Sequence, residues 1–164
     1  MQSSQTLAKK GLIVIGATLS DAHVVSVYLL SMMLEERGYE VINLSCCNST
    51  AEFFAAIPEG RRPVAIVIAN QNGSALADLQ DLPKLLHAHQ VPVILGGHYH
   101  VGCESKEDID LQLYRLGVSC IAPTPAAMFG FLQGLEGELE RAAVSRHVPP
   151  PVFAASASEI GGGQ

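Results

Sequence analysis

Five short, mainly apolar runs recur along the chain, and each is bounded by glycine, proline or polar residues. A run of this length with little polar alternation is typical of a strand that is buried on both faces of a sheet. The pattern therefore predicts five strands, at residues 11–16, 40–45, 63–70, 92–96 and 118–122.

The segments between these runs have the spacing of helices. Val24, Val27 and Leu30 fall on one face of the first, and Gly38 ends it. Helices are predicted at residues 24–37, 50–57, 75–89, 106–116 and 126–143, and Pro83 is a point where the third breaks or restarts. Alternating strands and helices with right-handed crossovers predict a flavodoxin-like (Rossmann-like), doubly wound α/β fold. Its five parallel strands should have the order 2-1-3-4-5.

The 164 residues fit one domain. We expect this domain at residues 11–144, after a disordered N-terminal segment, 1–10. The stretch 145–164 is rich in proline, serine, alanine and glycine, and we expect it to be a flexible tail.

Composition and charge argue against several classes of function. The net charge is −6 and no basic cluster occurs, which argues against a nucleic-acid partner. The first apolar run is too short for a signal core or a membrane span. Four cysteines without CxxC spacing indicate reduced thiols, so we expect a cytoplasmic protein that contacts no membrane.

In a doubly wound sheet, ligands bind at the carboxyl ends of the strands where the winding direction switches. This rule points to the loops that follow strands 1, 3 and 4. The first contains Asp21 and His23. A carboxylate that accepts a hydrogen bond from one imidazole nitrogen leaves the other free to bind a metal. One histidine can supply a single axial bond to a metal held in a macrocycle. The alternative is that Asp21 caps the first helix and His23 is an ordinary surface residue.

The loop after strand 4 contains three glycines within residues 96–102, which would let a ligand approach the backbone closely, or would simply form a turn. Its histidines, His98 and His100, lack the spacing and companion ligands of a zinc site.

These residues carry a resemblance. The segment from Gly11 to Leu135 resembles the small, cobalamin-binding subunit of glutamate mutase (methylaspartate mutase), a member of the B12-binding domain family. The matching motifs follow four strands: Ser20-Asp21-Ala22-His23; Ile66-Val67-Ile68 leading to Gly73; Gly96-Gly97 with Val101-Gly102; and Ala122-Pro123-Thr124-Pro125.

The resemblance implies that His23 is the axial cobalt ligand, that Asp21 is its hydrogen-bond partner, and that the cofactor is adenosylcobalamin. The displaced nucleotide tail of the cofactor would enter a groove between the first helix and the sheet. The residues implied in cofactor binding are Ser20, Asp21, Ala22, His23, Val24, Ser26, Ala69, Asn70, Gln71, Gly73, Gly96, Gly97, His98, Tyr99, His100, Val101, Gly102, Pro123 and Thr124.

It further implies that the chain has no catalytic residue of its own. It would present the cofactor to a separate catalytic large subunit, a TIM barrel, that converts L-glutamate to threo-3-methylaspartate or a related pair.

Two positions depart from the family pattern: Ser26 stands where the family has glycine, and Ala69-Asn70-Gln71 stands where it has Ser-x-Leu. They favour the alternative, a degenerate or non-mutase cobalamin-domain protein such as a carrier, a sensor or a cofactor-free relative. A phosphorelay receiver is disfavoured, because strand 3 ends in Asn70 and no lysine follows strand 5.

Overall fold

The computed structural model describes residues 10–146, which form a five-stranded parallel sheet covered by helices on both faces. The strands are β1 (Leu12–Ala17), β2 (Glu40–Asn43), β3 (Ala65–Asn70), β4 (Val93–Gly97) and β5 (Cys120–Ala122). The helices are α1 (Val24–Glu36), α2 (Thr50–Ala55), α3 (Ala75–Asp78), α4 (Leu82–His89), α5 (Lys106–Arg115) and α6 (Pro125–Arg146).

The order of the strands is β2-β1-β3-β4-β5, which confirms the predicted flavodoxin-like topology. Ile15 pairs with Val67, which in turn pairs with Ile94, so the apolar centres of the three middle strands lie side by side. All six residues of β1 and of β3 are buried, because both faces of the sheet are covered.

Alternate residues of each strand pack into two separate cores, one on each face of the sheet, because side chains alternate between the faces. One face packs against α2, α3, α4 and α5 and includes Val14, Ile66, Ile68, Leu95, Phe53, Leu79, Leu82 and Leu113. The other face packs against α1 and α6 and includes Ile13, Ile15, Val67, Ile94, Val27, Leu34 and Leu132.

Some helix bounds differ from the prediction. The helix expected at 75–89 is two helices, since Pro83 lies in the first turn of α4, where its missing N–H costs nothing. The last helix begins one residue earlier, at Pro125, and continues to Arg146. The predicted segments 1–10 and 145–164 lie outside the described residues, apart from Lys10 and the end of α6. Within residues 10–146, no helix combines the length and apolarity needed to cross a membrane.

Candidate functional site

The loops after β1 and β3 meet at the carboxyl edge of the sheet, and they are joined by a buried carboxylate. Asp21 lies in the β1–α1 loop, and none of its side chain is exposed to solvent. Its Oδ2 accepts a hydrogen bond from the backbone N–H of Gln71, at 2.7 Å, just after β3. Its Oδ1 accepts from the backbone N–H of His23, at 3.0 Å. The carboxylate therefore fixes both loops.

The same Oδ1 atom lies 2.6 Å from Nδ1 of the His23 imidazole. A carboxylate only accepts hydrogen bonds, so Nδ1 carries the proton and the lone pair of the neutral ring lies on Nε2. The His23 side chain is 63% exposed, whereas that of Asp21 is 0% exposed. The buried Asp21 carboxylate thus holds the His23 ring in one orientation, with Nε2 open to solvent.

Within residues 10–146, no three histidine, cysteine, aspartate or glutamate side chains lie close enough to hold a metal ion. His23 could therefore serve a metal only as one axial ligand, with a macrocycle supplying the rest.

A network of short polar side chains holds the β1–α1 loop against the segment after β3. The Ser20 hydroxyl donates to Oδ2 of Asp78 at 2.6 Å, and Asn72 donates to the Ser20 carbonyl oxygen at 2.7 Å. Asp78 also accepts, through its backbone carbonyl, from the hydroxyl of Thr50 at 2.9 Å. Ser20 is thus a positioning residue for the loop that carries His23.

Asn70 and Gln71 have different environments. The Asn70 side chain is buried; its amide donates to Thr18 and Asn72, and its oxygen accepts from the N–H of Gly73. Both N–H groups of this amide and one of the two lone pairs of its oxygen are therefore used internally.

Gln71 instead faces the open edge. Its Oε1 accepts from the backbone N–H of His98 at 3.1 Å, and its Nε2 makes no hydrogen bond within the described residues. Gln71 therefore offers its amide NH₂ group to a ligand as a donor.

A groove of about 290 Å³ lies between α1 and α6, above the carboxyl halves of β3, β4 and β5. Most of its lining is apolar, and the polar contributions come from Ser26, Gln71 and Thr124. The lining residues are Ser26, Leu29, Leu30, Met33, Val67, Ile68, Ala69, Gln71, Ile94, Gly96, Gly97, Ala122, Pro123, Thr124, Pro125 and Met128.

Seven of the predicted cofactor-binding residues line this groove: Ser26, Ala69, Gln71, Gly96, Gly97, Pro123 and Thr124. Ser20, Ala22 and Val24, expected at its entrance, and Asn70 do not line it. The α6 side of the groove was missed, together with Leu29, Leu30, Met33 and Met128. A signal was present for the α1 residues alone, because α1 is apolar on more than its buried face.

Gly97 brings the ends of β3 and β4 together. Its φ is +102°, and a Cβ there would lie 2.3 Å from the carbonyl oxygen of Asn70. Only glycine fits this conformation and this approach without displacement of the backbone.

Residues 98–102 are also expected to contact the cofactor, and they do not line the groove. Tyr99 is buried and donates to Asp110 in α5 at 2.7 Å, and burial raises the pKa of its phenol. Val101 packs on Gly73, where a Cβ would lie 2.4 Å from its methyl group. The segment is thereby anchored to α3 and α5. His98 is exposed; Gly73, Tyr99, His100, Val101 and Gly102 line a separate cavity of about 700 Å³.

The loop after β2 also contacts the His23 loop, which the sequence did not indicate. The backbone N–H of Cys47 donates to the carbonyl oxygen of Asp21 at 3.1 Å. Ser45 and Cys47 both have positive φ, 63° and 61°, which is uncommon for residues other than glycine. The β2–α2 loop thus closes one side of the site.

The curated proteins that are similar in sequence to this chain all belong to one family. No family model matches the chain. Glutamate mutase sigma subunit 2 of Haloarcula marismortui is 32% identical over 107 residues, which cover 64% of this chain and 72% of that protein. Sigma subunit 1 of the same organism is 29% identical over 107 residues, with 64% and 70% covered. The sigma subunit of Halobacterium salinarum is 26% identical over 130 residues, with 78% and 87% covered.

Solved structures share the fold. A cobalamin-binding protein from Desulfitobacterium hafniense superposes with a TM-score of 0.60 at 20% identity, covering 76% of this chain and 58% of that one. The monomethylamine corrinoid protein of Methanosarcina barkeri gives 0.58 at 20% identity, with 76% and 58% covered. The signal receiver domain of a diguanylate cyclase from Desulfovibrio desulfuricans gives 0.55 at 13% identity, with 80% and 98% covered. The chain spans under three-fifths of the length of the first two structures. At these identities the likeness concerns the fold alone.

Proposed function

Because this chain belongs to the family of glutamate mutase sigma subunits, we propose that it binds a cobalamin through His23 and presents it to a separate catalytic subunit. The observation that carries the proposal is the pairing of the buried Asp21 carboxylate with the exposed His23 imidazole. A ligand histidine needs a fixed tautomer, a fixed ring orientation and an accessible nitrogen, and this pair has all three.

The residues present fit a cobalamin whose own base has left the cobalt. Nε2 of His23 would bind the cobalt. The displaced nucleotide tail, with its flat and largely apolar base, would occupy the groove between α1 and α6, whose apolar walls suit such a group. Pro123 and Thr124 would border the same tail at the end of β5.

The two departures from the family pattern have a physical account in this proposal. Asn70 cannot replace a hydroxyl donor, because its amide is used internally. Gln71 Nε2 is unpaired within the described residues and lines the groove, so it would supply the missing hydrogen bond. The hydroxyl of Ser26 is turned back toward the carbonyl oxygen of His23, at 3.3 Å, which limits its intrusion into the groove.

The reaction we propose is the carbon-skeleton rearrangement of L-glutamate to threo-3-methylaspartate or a related pair. When bound, adenosylcobalamin supplies the radical chemistry through its cobalt–carbon bond. This chain's part is to hold and orient the cofactor, with Asp21 keeping the proton on Nδ1 of His23. The substrate-binding partner would be a TIM-barrel large subunit that covers the exposed face at His23.

A second candidate is a degenerate relative that has lost the cofactor, and Ser26 together with the missing hydroxyl at Ala69 favours it. This candidate predicts weak or absent cobalamin binding, whereas the first predicts binding by the isolated chain.

Gel filtration of the chain mixed with hydroxocobalamin separates the two candidates. We expect the visible absorbance of the cofactor to elute with the wild-type chain, and its affinity to fall at least about tenfold in His23→Ala. His87→Ala is the matched control, because His87 is also exposed but lies in α4, away from the groove and from every residue proposed to contact the cofactor. If the wild-type chain elutes colourless at millimolar cofactor, the proposal is wrong.

A further inference from the structure

Cys46 and Cys47 are adjacent in the β2–α2 loop, beside the loop that carries His23. Cys46 is partly buried and Cys47 is exposed, and their thiols are hydrogen-bonded to each other. Successive side chains of an extended chain point to opposite sides, so this contact requires a turn. The turn is present at Cys47, whose φ of 61° lies in the left-handed region. Both sulfur atoms therefore lie within reach of a single bound atom.

Hydrogen bonds hold the backbone on both sides of the pair. The N–H of Cys47 donates to the carbonyl oxygen of Asp21 at 3.1 Å. The side-chain amide of Asn48 donates to the carbonyl oxygens of Ala17, at 3.1 Å, and of Ser45, at 3.4 Å. The loop is thus ordered before any ligand arrives, which lowers the cost of engaging both thiols at once.

The pair is poorly suited to a disulfide. The Cα atoms of adjacent residues are about 3.8 Å apart across a trans peptide, whereas disulfides usually span roughly 4.4–6.8 Å. Within the described residues no peptide bond is cis, and the four cysteines are free. A bond between Cys46 and Cys47 would be strained and easily reduced, so the two groups are available as thiols.

The surroundings of the pair do not suit zinc. Structural zinc takes four protein ligands, and between residues 10 and 146 no three histidine, cysteine, aspartate or glutamate side chains could hold a metal ion together. The Asp21 carboxylate is already bonded to Gln71 and His23, and the Cys47 thiol approaches the Asp21 backbone carbonyl instead, at 3.7 Å. A ligand of this site must therefore be satisfied by two sulfur atoms.

We propose that Cys46 and Cys47 form a dithiol site for a trivalent arsenical that carries one organic group. Such an arsenic atom makes three bonds, one of them to carbon, so two thiols complete its valence. Two As–S bonds form, the As=O bond of the reagent breaks, and the two thiol protons leave with the oxygen as one molecule of water. Arsenic stays trivalent, and nothing is oxidised or reduced.

The contact between the thiols also favours reagents that bind both of them. It raises the pKa of Cys47, which keeps the thiolate fraction small at neutral pH and slows reagents that take a single thiol. Once an arsenical has made its first As–S bond, the neighbouring thiol closes the second within the same molecule. Linked attachment of this kind strengthens binding by about 100- to 10,000-fold.

The site contains neither His23 nor any residue of the groove between α1 and α6. It therefore does not depend on the proposed cobalamin function. A negative result here would leave cobalamin binding as it stands, and a chain that binds no cobalamin would still be expected to bind the arsenical.

The test uses phenylarsine oxide, added to the reduced full chain at neutral pH. Gel filtration in excess β-mercaptoethanol is followed by native mass spectrometry. We expect the wild-type chain to retain one phenylarsenic group, and dimercaptopropanol to remove it. In competition with that dithiol, Cys47→Ser should lower the affinity at least about 100-fold. Cys103→Ser is the matched control, because Cys103 is also exposed but lies in the loop after β4, and it should retain the group.

Circular dichroism melting of each variant beside the wild type shows that the chain is folded. Cys47 is exposed, so its replacement by serine leaves the core unchanged. The proposal is overturned if the wild-type chain emerges without the arsenical, if Cys47→Ser retains it as well as the wild type does, or if Cys103→Ser loses it.

Discussion

Replacement of Asp21 by asparagine is the sharpest perturbation of the site, because it keeps the shape of the side chain while it removes the negative charge and changes the hydrogen bonding. All three partners of the Asp21 carboxylate are donors: the N–H of Gln71 at 2.7 Å, the N–H of His23 at 3.0 Å and Nδ1 of the His23 ring at 2.6 Å. An asparagine has one acceptor oxygen and one NH₂ group. Because every partner at this position is a donor, the NH₂ group must face another donor.

Both orientations of the new amide are unfavourable. With its NH₂ toward Gln71, two donors face each other in a buried site, which costs about 1–3 kcal/mol of stability. With its NH₂ toward His23, the ring must accept at Nδ1, which moves its proton to Nε2. The lone pair that we assign to cobalt is then lost.

We therefore expect Asp21→Asn to lower the affinity for cobalamin by about 10–100-fold, or about 1.4–2.8 kcal/mol. The assay is titration of hydroxocobalamin followed by visible absorbance, with thermal denaturation of the free chain beside it. Asp81→Asn is the matched control, because the side chain of Asp81 is 70% exposed. Wild-type affinity together with an unchanged spectrum in Asp21→Asn would refute the role of this carboxylate.

Further predictions concern the groove, the β3–β4 edge and the β2–α2 loop. Gly97→Ala should lower stability by about 1–3 kcal/mol in chemical denaturation, because its Cβ would meet the carbonyl oxygen of Asn70, whereas Gly130→Ala, where no atom lies within 4 Å, should not. Gln71→Leu should weaken cobalamin about 5–10-fold in the same titration, through loss of one donor, and an unchanged affinity would remove Gln71 from the site. A hydrogen bond with the preceding thiol raises the pKa of Cys47 above its ordinary value. Its thiolate fraction at neutral pH is then small, so alkylation followed by mass spectrometry should be slower than for a free thiol at pH 7.5 and should still accelerate above pH 9; a rate that levels off below pH 8 would contradict this.

The fold and the Asp21–His23 pair could be predicted from the sequence because each depends on local signals. Buried parallel strands appear in the sequence as apolar runs. Asp21 and His23 are two residues apart in one loop, so their contact depends on that loop alone. The location of the site at the carboxyl edge of the sheet followed from the topology. Gln71 and Gly97 lie at the ends of β3 and β4, where the winding direction switches.

The rest depended on contacts between distant segments. The direction of the loop after Gly97 is set by the packing of Val101 on Gly73 and by the hydrogen bond of Tyr99 with α5. The internal use of the Asn70 amide depends on the position of Thr18 in the β1–α1 loop and on the turn at Asn72 and Gly73 after β3. The far wall of the groove comes from α6, and its distance from α1 in the chain left no sequence pattern to connect them.

The ligand of cobalt is the centre of this account, and electron paramagnetic resonance of cob(II)alamin bound to the chain tests it most directly. The protein is labelled uniformly with ¹⁵N, and the cofactor carries natural ¹⁴N. If His23 is the axial ligand, the superhyperfine splitting is the doublet of ¹⁵N, and it disappears in His23→Ala. A ¹⁴N triplet from the bound complex would mean that the cofactor's own base still occupies the cobalt, and the role of His23 would be wrong.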